Sequence, residues 1–152
     1  GGGGDGAIFE NDPASNTYTT LHSFVGATSG SKPTGSLVQA DDGKLYGMTV
    51  TGGASNSRGT IFEYDLTTST LTKRIDFNED TNGAGCNPYG SLALRDGKLY
   101  GITSNCGATG EDGALFEFDP ASGVITPKFQ FGGAEGGGPL GSLFLASNNK
   151  FY

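Results

Sequence analysis

The chain has 152 residues, about one domain's length, with 28 glycines and a net charge of −7 from nine Lys plus Arg against sixteen Asp plus Glu. Such a chain lacks the basic stripe that nucleic-acid binding needs. No apolar run approaches the roughly 18 residues of a membrane helix, and the glycines show no collagen-like three-residue period.

The chain opens on Gly1-Gly2-Gly3-Gly4 without an initiator Met, so it reads as a piece of something longer and its lack of a signal peptide is uninformative. Scarce Lys, abundant Gly, Ser, Thr and Asn and the acidic balance lean towards a secreted bacterial protein.

The first recognisable segment is Gly6-Ala7-Ile8-Phe9-Glu10, which recurs at Gly59-Thr60-Ile61-Phe62-Glu63 and Gly113-Ala114-Leu115-Phe116-Glu117. Each copy runs into an acidic turn led by Asp12, Asp65 or Asp119, because Asp side chains bond the backbone two residues on. A further apolar segment ends in Phe24, Phe77 or Phe131. A glycine-rich connection follows, with Pro33, Pro88 or Pro139 two residues before Gly-Ser-Leu at 35–37, 90–92 and 141–143. An Asp-Gly turn at Asp42-Gly43 and Asp96-Gly97, replaced near Asn149 in the last copy, then leads into Lys44-Leu45-Tyr46-Gly47, Lys98-Leu99-Tyr100-Gly101 and Lys150-Phe151-Tyr152.

One unit is therefore four short strands, called A (Gly-Ser-Leu), B (Lys-Leu-Tyr-Gly), C (Gly-x-Ile-Phe-Glu) and D (ending in Phe), with no capped helical period anywhere. Four antiparallel strands repeated about every 54 residues predict an all-β fold, a β-propeller of four-stranded blades. The expected organisation is one propeller segment over 1–152, with units beginning near strand C at 6, 59 and 113.

Gly-Ser-Leu…Asp-Gly-Lys-Leu-Tyr-Gly-Ile-Thr…Gly-Ala-Leu-Phe-Glu-Phe-Asp-Pro resembles the Gloeobacter/Verrucomicrobia tandem repeat, and more distantly the kelch class of blade, whose usual strand-D Trp this chain lacks. The resemblance covers nearly the whole chain. It implies a large secreted or surface protein, and so a location more than a mechanism. Propellers have about 4–8 blades. Three units therefore predict, as partners, the remaining blades of a longer chain or a second copy.

In an up-and-down blade the D–A and B–C connections share one end, and these are the long, variable ones. Binding residues concentrate on long loops held by a rigid scaffold. The candidate ligand-contacting residues are Asn56, Arg58, Asp80, Asn82, Tyr89, Asn105, Glu111 and Asp112, for a glycan or protein ligand; the plainer alternative is solvated connectors.

Cys86 and Cys106 lie one residue out of register just beyond the far end of the hairpin that turns at Asp96-Gly97. A disulfide fits that placement and an oxidising compartment; two unpaired thiols are the alternative. A metal pair lacks support, because the only histidine, His22, belongs to another unit. Asp76, Asn78, Asp80 and Asn82 place oxygens at alternate positions, as a calcium loop does, but glycine and glutamate are not where an EF-hand has them; an acidic solvated loop is the plainer reading, and no cofactor is expected.

No nucleophile elbow, zinc-protease motif or P-loop is present. His22 stands where other units have Ile75 and Phe129, which fits a half-buried strand residue. The recurring Glu10, Glu63 and Glu117 could suggest paired carboxylates. Recurrence once per unit argues instead for structure, a cross-strand pair with Lys44 and Lys98. The register expected puts Lys98 opposite Glu117, Tyr100 opposite Leu115 and Leu99 beside Phe116. Lys150 has no downstream Glu; its partner by the repeat is Glu10, whose strand is expected to be an exposed edge.

Two functions follow. One is a non-enzymatic extracellular or cell-surface module that binds a glycan or protein, or acts as a rigid spacer. The other is part of a carbohydrate-active propeller enzyme, with carboxylates from several blades gathered at the axis.

Overall fold

A computed structural model describes residues 4–54, 58–78, 83–107, 112–132 and 136–152. Ten strands run in chain order: β1 (Ala7–Asp12), β2 (Thr17–Ser23), β3 (Val38–Gln39), β4 (Leu45–Thr49), β5 (Thr60–Asp65), β6 (Thr70–Asp76), β7 (Ala84–Arg95), β8 (Lys98–Gly107), β9 (Ala114–Phe118) and β10 (Ile125–Gln130). The described residues contain no helix. The strands form three antiparallel sheets, a β1-β2 pair and the meanders β3-β4-β5-β6 and β7-β8-β9-β10. The expected strands A to D are these meanders in order. The β1-β2 pair is a C–D pair, and a bridge between Leu145 and Phe151 starts one more A–B hairpin.

The tight turns follow from side-chain chemistry. Asp65 Oδ1 accepts the N–H groups of Thr67 and Thr68, and Asp12 and Asp119 do the same for Ala14 and Ala121. Each of these C–D turns ends in a left-handed residue four places on, Asn16 (φ 53°), Ser69 (φ 54°) or Gly123 (φ 73°). The A–B turns divide into two kinds. Asp96 and Gly97 (φ 51° and 72°) make the two-residue turn expected of Asp-Gly, with Arg95 opposite Lys98. The turn at Asp42-Gly43 takes Asp41 in as a third residue, closed by Ala40 and Lys44, and only Gly43 is left-handed. Ala146 and Lys150 close the last turn in that second way, around Asn149 (φ 63°).

The register corrects one expectation. Leu99 stands opposite Phe118 and Tyr100 opposite Glu117, two residues from the predicted pairing. A two-residue slip leaves every side chain on the same face, so apolar matching cannot distinguish the two registers. In each C–D pair the ladder skips one residue at the same place, past Leu21, Arg74 and Lys128.

The core lies between sheets. Ile8 and Phe24 of the first unit pack with Phe62 and Tyr64 of the second, and the Phe24 and Phe62 rings meet at 5.0 Å. The next interface repeats this contact with Phe77 on Phe116 at 5.4 Å, inside a cluster that includes Tyr46, Ile61, Leu99 and Phe118. Strands covered on both faces need not alternate apolar and polar residues, which is why Ile61 and Phe62 are both fully buried.

A seam of bonds from backbone N–H to serine hydroxyl joins the Gly-Ser-Leu segments of successive units. Ser36 N–H donates to Ser91 Oγ at 2.8 Å, and Ser91 N–H donates to Ser142 Oγ at 2.9 Å. The approach is so close that a Cβ on Gly90 would stand 2.2 Å from the Gly141 carbonyl oxygen.

Candidate functional site at the long-loop end

The meanders place the A–B and C–D turns at one end and the longer connections at the other. Arg58 stands immediately before β5, Asp112 shortly before β9, and the two occupy the same position in successive units. Their carbonyls do the same work: Arg58 accepts the Asn87 N–H at 2.7 Å, and Asp112 accepts the Gly138 N–H at 3.0 Å. Asp5 does so for Lys32 at 2.9 Å. These bonds tie each strand C to the connection that enters the next unit.

Cys86 and Cys106 form a disulfide, with Cα atoms 5.3 Å apart. It holds together the long-loop ends of β7 and β8, which run further than the sequence pattern indicates. Tyr89 and Asn105, expected on loops, therefore lie within these strands, Tyr89 opposite Ile102 and Asn105 opposite Cys86. Cys86 is fully buried, and Arg58 Nη1 lies 3.3 Å from Cys106 Sγ.

Around the disulfide the polar groups are fixed by bonds to backbone. Asn87 (φ 54°) donates from Nδ2 to the Val50 carbonyl at 3.0 Å. Ser104 Oγ donates, by alternative rotamers of its proton, to the Asn87 carbonyl at 3.0 Å or to Asn105 Oδ1 at 2.6 Å. Of the predicted ligand contacts, Arg58 and Asn105 thus converge on the disulfide, and Tyr89 lies further along β7. Asp112 belongs to the next unit's entrance. Asn56, Asp80, Asn82 and Glu111 lie outside the described residues. Asn87 and Ser104 were missed by sequence reasoning; the only signal for Asn87 was its place directly before Pro88.

Of the candidate calcium ligands, Asp80 and Asn82 are among those outside the described residues. Asp76 is engaged otherwise, with Oδ2 2.7 Å from Lys73 Nζ and Oδ1 accepting the Ala54 N–H at 3.1 Å. Among the described residues no group of three or more His, Cys, Asp or Glu is placed to hold a metal.

The recurring glutamates sit towards the opposite, tight-turn end. Glu63, 5% exposed, lies 2.7 Å from Lys44 Nζ, accepts from the Tyr46 hydroxyl at 3.1 Å, and takes a short bond from Arg74 Nη1. Burial pushes the Glu63 carboxyl up, but the bonds from Lys44 and Arg74 outweigh it and hold it below the ordinary range. The Glu117 carboxyl is also held low, mainly by the Tyr100 hydroxyl and then by Lys128, 3.1 Å away. The expected Lys98–Glu117 pair is replaced: Lys98 Nζ lies 2.6 Å from Asp119, which it holds down to about 2 together with Ser122. Lys98 is level with Asp119 in this register, but Lys44, level with Asp65 in the same register, reaches Glu63 as expected.

His22 packs edge-on against Phe24 at 5.4 Å, and burial pushes its imidazole below the ordinary histidine value. This is the environment of a strand residue that fills space, as its repeat position suggested.

No helix among the described residues is long and apolar enough to cross a membrane. No curated protein matches the chain. The Gloeobacter/Verrucomicrobia repeat matches residues 1–152 from end to end, and the recurrence of the four-strand meander, the acidic turns and the serine seam accords with it: the chain belongs to the Gloeobacter/Verrucomicrobia repeat family.

Proposed function

We propose that the chain is a segment of a β-propeller whose four-stranded sheets are blades, and that it serves as a non-enzymatic extracellular or cell-surface module that presents its long-loop end to a glycan or protein ligand. The observation that carries this reading is the serine seam. Successive Gly-Ser-Leu segments meet through bonds from backbone N–H to serine Oγ at Ser36, Ser91 and Ser142, as inner strands crowd around an axis, while strands D lie at the far edge of each sheet.

The fate of the glutamates supports a non-catalytic role. Glu63 and Glu117 are neutralised by Lys44, Arg74 and Lys128 within their own sheets, on the side of the tight turns. A glycosidase needs two carboxylates facing one bond from across a cleft. The disulfide supports an oxidising location. The module is proposed to work without a metal.

The test is binding of the 152-residue chain to an immobilised panel of bacterial cell-wall and surface glycans, with a hydrolysis assay on every glycan that binds. Retained ligand lost on Arg58→Ala or Asn105→Ala, at an unchanged melting temperature and without cleavage, is the expected result. Glycan cleavage would overturn the non-enzymatic reading, and a ligand bound at Asp42 or Gly97 would overturn the choice of face.

A further inference from the structure

The two sulfurs of the Cys86–Cys106 bond stand in unlike settings. Cys86 is fully buried, and its neighbours in the chain are fixed from other strands. Gln130 Nε2 donates to the Gly83 carbonyl at 2.7 Å, and the Asn87 N–H donates to the Arg58 carbonyl at 2.7 Å. Cys106 is only half-buried. Its backbone is left-handed, with φ 57°, a conformation that residues other than glycine, asparagine and aspartate seldom adopt. One guanidinium serves both sulfurs: Arg58 Nη1 lies 3.3 Å from Cys106 Sγ and 4.0 Å from Cys86 Sγ.

The hairpin around the bond is divided in two. The β7–β8 ladder breaks register between Tyr89 and Ala93, which sets the outer pairs, Ala84–Gly107, Cys86–Asn105, Pro88–Thr103 and Tyr89–Ile102, apart from those beside the Asp96-Gly97 turn. Pro88 has no N–H to give to the outer ladder. Thr103 and Ser104 are buried, with hydroxyls 2.9 and 3.0 Å from the Ala84 and Asn87 carbonyl oxygens. The residues after them, Asn105, Cys106 and Gly107, are half-buried. The disulfide is the covalent tie of this last stretch of β8 to an anchored β7.

We propose that Cys86–Cys106 is a thiol–disulfide exchange site, opened by a dithiol that enters at Cys106 and assisted by Arg58. One thiolate of the dithiol attacks Cys106 Sγ, at the half-buried end of the bond. The Cys86–Cys106 bond breaks, and its electron pair leaves on Cys86 Sγ as a thiolate beside the Arg58 guanidinium. The dithiol's second thiolate attacks its own first sulfur in the mixed disulfide. That closes a disulfide within the dithiol and releases Cys106 as a thiolate beside the same guanidinium. Two electrons pass from the dithiol to the cysteine pair, and its two protons go to the cysteines or to solvent. A neighbouring arginine favours the thiolate, and a more stable thiolate leaves faster, so Arg58 assists both departures. Once the bond is open, the left-handed backbone at Cys106 relaxes and the end of β8 is released with Asn105. The bond is thus a clasp on the long-loop end, closed when oxidised.

The intact, folded chain is treated with dithiothreitol at neutral pH, quenched by alkylation and read by peptide mass, while circular dichroism follows the fold. The bond should open with the sheet signal retained. Arg58→Gln should slow the opening about three-fold or more, and Arg58→Lys, which keeps the charge, should restore most of the rate. With glutathione, a monothiol, an acid quench should trap the mixed disulfide on Cys106 and not on Cys86. In the reduced chain Arg58→Gln should also slow alkylation of Cys106 by iodoacetamide, whereas a loss of packing alone would speed it. A bond that opens only as fast as the chain unfolds, a rate indifferent to Arg58, or glutathione on Cys86 would each overturn the site. The site stands apart from the module reading: a chain that binds no glycan yet opens as described keeps the exchange site, and one that binds a glycan but resists dithiothreitol keeps only the module.

Discussion

Arg74 donates from Nη1 to Glu63 from the one place in β6 where the ladder skips a residue. A bulge re-aims the side chain it frees. The freed guanidinium also donates from Nη2 to the Pro120 carbonyl at 2.8 Å and lies over the Phe118 ring at 5.8 Å, so one residue ties two sheets together. Lys128 is freed by the same bulge in the next sheet and reaches Glu117.

Removing Arg74 leaves Glu63 buried with less of its charge compensated. Arg74→Met should lower stability by about 2 kcal/mol, below the cost of breaking a fully buried pair because the arginine is itself partly exposed. Lys128→Met should cost under about 1 kcal/mol, since Lys128 is 40% exposed. Urea unfolding midpoints check both, and equal losses would contradict the distinction.

Acid should unfold the protein through these same groups. Glu63, Glu117 and Asp119 have carboxyls lowered in the fold, so the stability they supply is present above their unfolded values of 4.5 and 3.8 and is lost as pH falls through the folded ones. The melting temperature should begin to fall below about pH 4.5 and go on falling towards pH 2. A melting temperature flat from pH 5 to about 2 would contradict these networks.

At the alkaline end the sign reverses. Burial and the Glu117 bond push Tyr100 up to about 12, and burial and the Asp42 bond push Tyr46 higher still. Neutral phenols are favoured by the fold, so their contribution is complete below the ordinary value of 10 and is lost as pH rises through the folded values. Tyr46 and Tyr100 should ionise late in the phenolate absorbance titration. The late phase should shrink by one tyrosine in Tyr46→Phe and in Tyr100→Phe.

The disulfide spans 20 residues and should contribute about 3 kcal/mol on loop-closure entropy. Cys86→Ala with Cys106→Ala should lower the unfolding free energy by about that amount while the meander persists in circular dichroism. Thiol titration of the unreduced, unfolded wild-type chain should find no free thiol.

The order of strands was legible in the sequence because the units recur at nearly constant spacing and each turn carries its own chemistry, as Asp65 and Gly97 show. The disulfide was legible because the hairpin turn fixes which residues face each other. The B–C register was not, since Tyr100 opposite Glu117 and Tyr100 opposite Leu115 put the same residues on the same faces. Nor were the bulges, which left the role of Arg74 hidden. At the long-loop end Tyr89 and Asn105 looked like loop residues because nothing local signals that the Cys86–Cys106 bond extends two strands around them. The serine seam was hidden as well: Gly-Ser-Leu was visible as a strand start, but its contact is between units, where sequence spacing gives no direction.

The propeller reading is tested most directly by the rotation between successive sheets in an experimental structure of the chain. A propeller requires that β3–β6 and β7–β10 be related by a turn of about 45–90° around an axis running beside Ser36, Ser91 and Ser142, the range set by eight to four blades. Sheets stacked with little rotation, so that the serines line a straight edge, would make the chain a solenoid and contradict it.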